Sequence, residues 1–462
     1  MPIFYNFGHI FQAPENGIPD GSIALASKIE KDDLQGKITG KYSIDKPHLS
    51  NLLFDPQLYC LDLNPSTNTN MCWKLSTYPW FGIQLPKDAK YHKDILKGPQ
   101  PNVPHDVEKD RKEAKKTRFQ YKKNFLENKW EENLPKSPRK IEFAVEESIQ
   151  FQKSLNTSAI IIPSPLTTVK STDYVKEDLW LRIGKEICKD KGITKQKFAT
   201  IAISDVCLSP FTDKTKRFLD MILDLISSKD YNGIYVVLEQ SKESNSTRYI
   251  SKKDTLLGLL YLVYNASKIP DFKIIVNFIG PYGLALRAVG ADIWATNWYK
   301  GLVRFRLGDE KISPISNTPS QKYWSTPLAM DIDVQTFKKD PNKKNDFNKL
   351  VMAGFLDEIS DITQESIPLI EFSKMYPEKT HVNWRTSINP SINHYLLSLK
   401  NQEKIISDPS INKIEYVYNW LLNAKNLVEN ISIKLGKDFS SQKEHVANWC
   451  DAFSEFRQDQ KV

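Results

Sequence analysis

Between residues 158 and 300 the chain carries five short, continuous apolar runs. They are Ser158 to Pro163 (SAIIIP), Phe198 to Val206 (FATIAISDV), Gly233 to Leu238 (GIYVVL), Lys273 to Ile279 (KIIVNFI) and Ala291 to Ala295 (ADIWA). None alternates polar with apolar, so each reads as a strand covered on both faces, which is the habit of parallel sheets. Between them lie stretches with apolar residues three and four apart. Leu179, Leu181, Ile183 and Ile187 mark the first, Phe218, Ile222, Leu225 and Ile226 the second, and Leu256, Leu259, Leu260 and Val263 the third. Buried strand followed by amphipathic helix, repeated, specifies βα units and an α/β fold.

Counting outward extends the series to eight, as a (β/α)8 TIM-type barrel needs. Ser22 to Ser27 and Leu52 to Leu61 supply two earlier strands, and the eighth is expected at Leu302 to Leu307 or at Leu328 to Val334. A doubly wound parallel sheet is the alternative. The barrel is expected over residues 1–339, with a basic, Pro-rich insertion at 86–140 that lies outside the wall and exposes its lysines. Residues 340–462 read as a mainly helical C-terminal extension. There Ile414, Val417, Tyr418, Leu421, Leu427, Val428, Ile431 and Leu435 form one apolar stripe.

Composition narrows the class. The net charge of +8, from 64 basic and 56 acidic residues, permits contact with a polyanion without demanding it. Five scattered cysteines (Cys60, Cys72, Cys188, Cys207, Cys450) form no C-x-x-C pair, and the seven histidines show no paired-ligand spacing, so no metal site is expected. No G-x-G-x-x-G fingerprint occurs, and Gly36 to Tyr42 (GKITGKY) has the wrong spacing for a phosphate loop, so no cofactor is expected. Met1 to Phe11 lack the pattern of a signal peptide, and no stretch approaches eighteen apolar residues. With reduced thiols, these features lead to the expectation of a cytoplasmic protein without membrane contact.

In a parallel barrel, chemistry collects where the carboxyl ends of the strands converge. Those ends carry Asp55, Ser164, Asp205, Glu239, Gln240, Asn277, Thr296 and Asn297, with Gly280 and Gly283 opening the helix after the sixth strand. Asp205 and Glu239 end neighbouring strands. Two carboxyls buried side by side drive one pKa upward, which suits general acid and base work. Gln240, Asn277, Thr296 and Asn297 are candidate substrate readers, and free amides at Gly280 and Gly283 could receive an anion. Asp292, at the start of its strand, belongs at the opposite end of the barrel. The run Lys109 to Lys123 sets Lys115, Lys116, Arg118, Lys122 and Lys123 around Phe119 and Tyr121, a pattern suited to phosphates and stacked bases.

Residues Asn277 to Asn297 resemble the last part of the tRNA-guanine transglycosylase barrel, in which a strand and glycine-containing loop lead through a helix to a Gly-x-Asp-aromatic strand. Gly290-Ala291-Asp292-Ile293-Trp294 is similar to that strand, and Gln240 to a base-reading glutamine. The resemblance covers about a quarter of the chain. Ala295 stands where that family has its nucleophilic aspartate, and the family's Cys/His zinc site has no counterpart. The resemblance therefore implies a transferase or hydrolase acting on a nucleoside, nucleotide or nucleic-acid base, with Asp205 as nucleophile or base and Glu239 as general acid/base. The competing expectation is a catalytically inactive barrel that binds nucleic acid or protein, as a homo-oligomer or in a larger assembly, for instance in defence against mobile DNA.

Overall fold

The computed structural model describes residues 3–7, 19–39, 51–83, 105–170, 174–240, 252–297, 303–307, 322–333, 389–435 and 440–462. Eight strands form one parallel sheet: β1 (Ile3–Phe7), β2 (Gly21–Leu25), β3 (Leu52–Asp55), β4 (Ile160–Ile162), β5 (Lys197–Ser204), β6 (Gly233–Glu239), β7 (Lys273–Asn277) and β8 (Ile293–Thr296). Their order is β3-β2-β1-β8-β7-β6-β5-β4. The first and last strands in the chain are thus neighbours, with Phe4 opposite Ala295. The remaining gap, between β3 and β4, is bridged where Ser158 N donates to Leu52 O at 2.8 Å. This is a nearly closed (β/α)8 barrel.

The strands at 22, 52 and 158–295 fall where the apolar runs place them, but the eighth does not. It is β1, at the start of the chain. Leu328 to Val334 was one candidate for it. Within that range Met330–Asp333 instead pairs antiparallel with Lys322–Ser325 in a separate hairpin. In the other candidate, Leu302 to Leu307, the described residues make a single bridge, Phe305 to Glu239, at the last residue of β6. The register explains the correction: β8 has β1 on one side and β7 on the other, so no edge is left for a later strand.

The helices cover the wall as their spacing requires. Asp213–Ser227 buries Phe218, Leu219, Ile222, Leu223 and Ile226, and its start is fixed by a reciprocal Thr212–Thr215 capping box. Lys253–Ala266 buries apolar residues on most of its circumference, because Ser440–Gln460 packs over its outer side. There Tyr264 meets Phe456 at 5.3 Å. Asn389–Ile406 joins the wall through Glu403, which receives Arg287 at 3.1 Å. In the long helix Lys413–Leu435, Val417, Leu421 and Val428 of the apolar stripe are buried. Residues 340–388 lie outside the described residues.

The inserted segment between β3 and β4 is mainly helical where it is described. His105–Asn133 lies against Thr69–Ser76, with Trp73 and Phe125 edge to face at 6.1 Å and Trp130 stacked on Phe81 at 5.4 Å. The expectation that its lysines are exposed fails at Lys122. That side chain is buried, and its ammonium sits 4.6 Å from the centre of the Trp73 ring. A long alkyl stem and a cation over an indole face make this burial tolerable. Residues 84–104 lie outside the described residues.

Candidate functional site

The carboxyl ends of β5 and β6 are in register, Ser204 opposite Glu239. Partners across parallel strands project to the same side, so Glu239 meets Ser204, whose hydroxyl donates to Glu239 Oε2 at 2.6 Å. Leu307 N approaches Glu239 Oε1 at 3.4 Å. Burial pushes the Glu239 pKa above the usual carboxylate range; the Ser204 hydrogen bond opposes this and the charge of Asp205 adds to it. Asp205 begins a 3-10 turn directly after β5 and is 1% exposed. Its Oδ2 lies 3.6 Å from Lys252 Nζ, while Oδ1 has no hydrogen-bond partner among the described residues. Gln240 is also buried, with Nε2 likewise unpartnered. Such atoms are costly to leave unpaired in a folded protein.

A second polar group lies around the barrel axis. Asp55, at the end of β3, accepts the Tyr59 hydroxyl at 2.6 Å and the Tyr235 hydroxyl at 2.8 Å on Oδ2, and Gln57 N at 3.0 Å on Oδ1. Asn277 Nδ2 donates to the Tyr235 oxygen at 2.5 Å, and Asn277 Oδ1 accepts Asn6 Nδ2 and Phe278 N, each at 2.6 Å. Asn297 continues the chain by donating to Asn6 O. Burial pushes the Asp55 pKa up to about 6, against the opposing hydrogen bonds from Tyr59 and Tyr235.

A carboxyl whose folded pKa is raised is easiest to accommodate when protonated. Its stability contribution is therefore complete below about pH 4 and falls as pH rises towards about 6, by about 3 kcal/mol in all. Asp55→Asn, which does not titrate, should gain stability relative to the parent over that window. Denaturant unfolding of both proteins at several pH values checks this, and parallel curves would contradict it.

The other candidates divide. Ser164 is buried, with its hydroxyl 3.3 Å from Pro165 O. Thr296 points out of the barrel, where its hydroxyl meets Tyr395 OH at 2.8 Å. Gly280 takes φ +66° in the turn after β7. A Cβ at Gly283 would stand 2.2 Å from the Trp294 ring, so this glycine serves the close packing of Gly283–Ala288 on the wall. Asp292 Oδ2 accepts Ile274 N at 2.8 Å at the amino end of the strands.

Of the basic run, Lys116 is exposed, Arg118 half-buried, Lys122 committed to Trp73, and Lys123 3.8 Å from Glu127; the Lys115 side chain lies outside the described residues. Sequence reasoning missed Ser204, Tyr235, Lys252 and Asn6, whose roles depend on register between distant segments.

All five cysteines are buried and free, and no cluster of metal-ligating side chains occurs among the described residues. No helix among them is long and apolar enough to cross a membrane. Comparison with protein-family models, with curated proteins and with solved structures yields no match.

Proposed function

We propose that this barrel is an enzyme acting on a nucleoside, nucleotide or nucleic-acid base by glycosyl transfer or hydrolysis, with Glu239 as general acid/base and Asp205 as nucleophile or base. The observation that carries the reading is the pair itself. Two buried carboxyls end adjacent strands at the barrel mouth, one held towards its protonated form and the other with an unpartnered oxygen. Cleaving a glycosidic bond calls for this division of labour, an acid to protonate the leaving group and a carboxylate to attack or to activate the attacking group. The choice of a base as leaving group rests on the resemblance of Gly290 to Trp294 and of Gln240 to the transglycosylases.

Ala295 lies opposite Phe4 on the inner side of β8 and offers no nucleophile, which is why that role passes to Asp205. Gln240 supplies a donor to the ligand. Asn277, with both ends of its amide engaged, keeps Tyr235 and Asn6 in place. Incubating the full chain with nucleosides, nucleotides, RNA and DNA, and following release or exchange of labelled base, tests the proposal. Release or exchange from one class supports it. Binding without either reaction on any of them would favour the inactive-barrel reading.

A further inference from the structure

Residues 303–307 cross the mouth as a strap. Val303, Arg304 and Phe305 are buried. The strap pairs with the end of β6, where Gln240 N donates to Phe305 O at 3.0 Å and Leu307 N approaches Glu239 Oε1 at 3.4 Å. An aromatic ring helps to anchor it. Phe305 stands edge to face with Tyr59 at 4.9 Å and tilted against Phe278 at 5.7 Å.

Both partners are set by unusual backbone. Phe278 has φ +58°, and Gln57, two residues before Tyr59, has φ +52°. A non-glycine residue in the left-handed region carries strain, and an aromatic one is uncommon there. Side-chain hydrogen bonds hold each turn: Asn277 Oδ1 accepts Phe278 N, and Gln57 Oε1 accepts Ser27 N at 2.6 Å. Strained turns from β3 and β7 thus present two rings to a third, which ties down the segment touching Glu239 and Gln240.

We infer that Phe305 is a positioning residue for the proposed site: its ring, clasped by Tyr59 and Phe278, fixes the strap that orients Glu239 and covers it from solvent. The inference rests on Glu239 being the acid of that site. Two opposed influences pass through the strap. Its cover contributes to the burial that raises the Glu239 pKa, whereas the Leu307 amide and the charge of Arg306 lower it. Releasing the strap removes its cover and both of these lowering contacts together, whereas neutralising Arg306 removes one of them and leaves the cover in place.

The test is a 13C NMR titration of the Glu239 carboxyl in the full chain, assigned by its absence in Glu239→Gln, together with amide exchange at Gln240 and Leu307. Phe305→Ala is expected to shift the Glu239 titration and to speed exchange of both amides by about tenfold, given the worth of two aromatic contacts. Phe305→Leu, which keeps an apolar anchor, restores both. Arg306→Gln leaves the anchor intact and is expected to leave both exchange rates unchanged, which separates loss of the charge from loss of the anchor. Phe278→Ala, which removes one ring of the clasp, is expected to speed exchange of both amides even if Phe305→Ala fails to fold. Exchange of both amides at the parent rate in a folded Phe305→Ala, or in Phe278→Ala, would overturn the inference. No substrate enters the measurement, so this outcome is separate from success or failure of the base-release assay.

Discussion

Glu239→Gln is expected to lower the rate of base release or exchange by about 10²–10⁴-fold, the usual worth of a positioned proton donor. The substitution keeps the size of the side chain and an oxygen to accept the Ser204 hydroxyl, and it removes only the titrating proton. Folding should be spared. A carboxyl pushed upward by burial is a liability to stability once ionised, so its neutral isostere relieves that cost. Asp205→Asn should lose activity on a similar scale, since an amide oxygen is a poor nucleophile and base. The measurement pairs single-turnover rates with thermal unfolding of each variant. Activity lost in proportion to stability would return both residues to a structural role.

The largest effect on stability is expected at Trp294, far from any chemistry. Trp294→Ala should cost about 3–5 kcal/mol, as truncation of a large buried aromatic does. The indole is fully buried on the outer side of β8, beneath Gly283, and its Nε1 donates to Glu403 at 3.5 Å. Its removal leaves a cavity between the wall and two covering helices, which cannot collapse without moving Gly283–Ala288. Glu403 keeps Arg287, so no buried charge is stranded and the loss is chiefly one of packing. Denaturant unfolding would show it as a lower midpoint. A change below about 1 kcal/mol would mean that the C-terminal helices do not seal this face.

The middle of the barrel was legible because its strands are covered on both sides, and only continuous apolar runs satisfy that environment. β1 escaped notice for the opposite reason. Ile3–Phe7 reads IFYNF, with Asn6 turned inward to meet Asn277, and a polar residue in so short a run hides the pattern. Asp205 and Glu239 could be selected because strand ends in such a barrel share one mouth. Thr296 could have been set aside by parity. Alternate residues of a strand face opposite sides, and Ala295 is the one opposite the inward Phe4.

What sequence could not reveal was the closing of polar groups on one another. Asp55, Tyr235, Asn277 and Asn6 come from four strands, up to 271 positions apart, and their hydrogen bonds exist only once the barrel closes. Lys122 was misjudged because its partner, Trp73, lies on a different helix.

The pH dependence of the base-release rate in the parent and in Glu239→Gln tests the central claim most directly. If Glu239 delivers the proton, its protonated form is the active one, and the parent rate falls as pH rises through its raised pKa. The residual rate of Glu239→Gln is predicted to be flat across that same interval. An alkaline fall that persists unchanged in Glu239→Gln would contradict the assignment of this carboxyl as the acid.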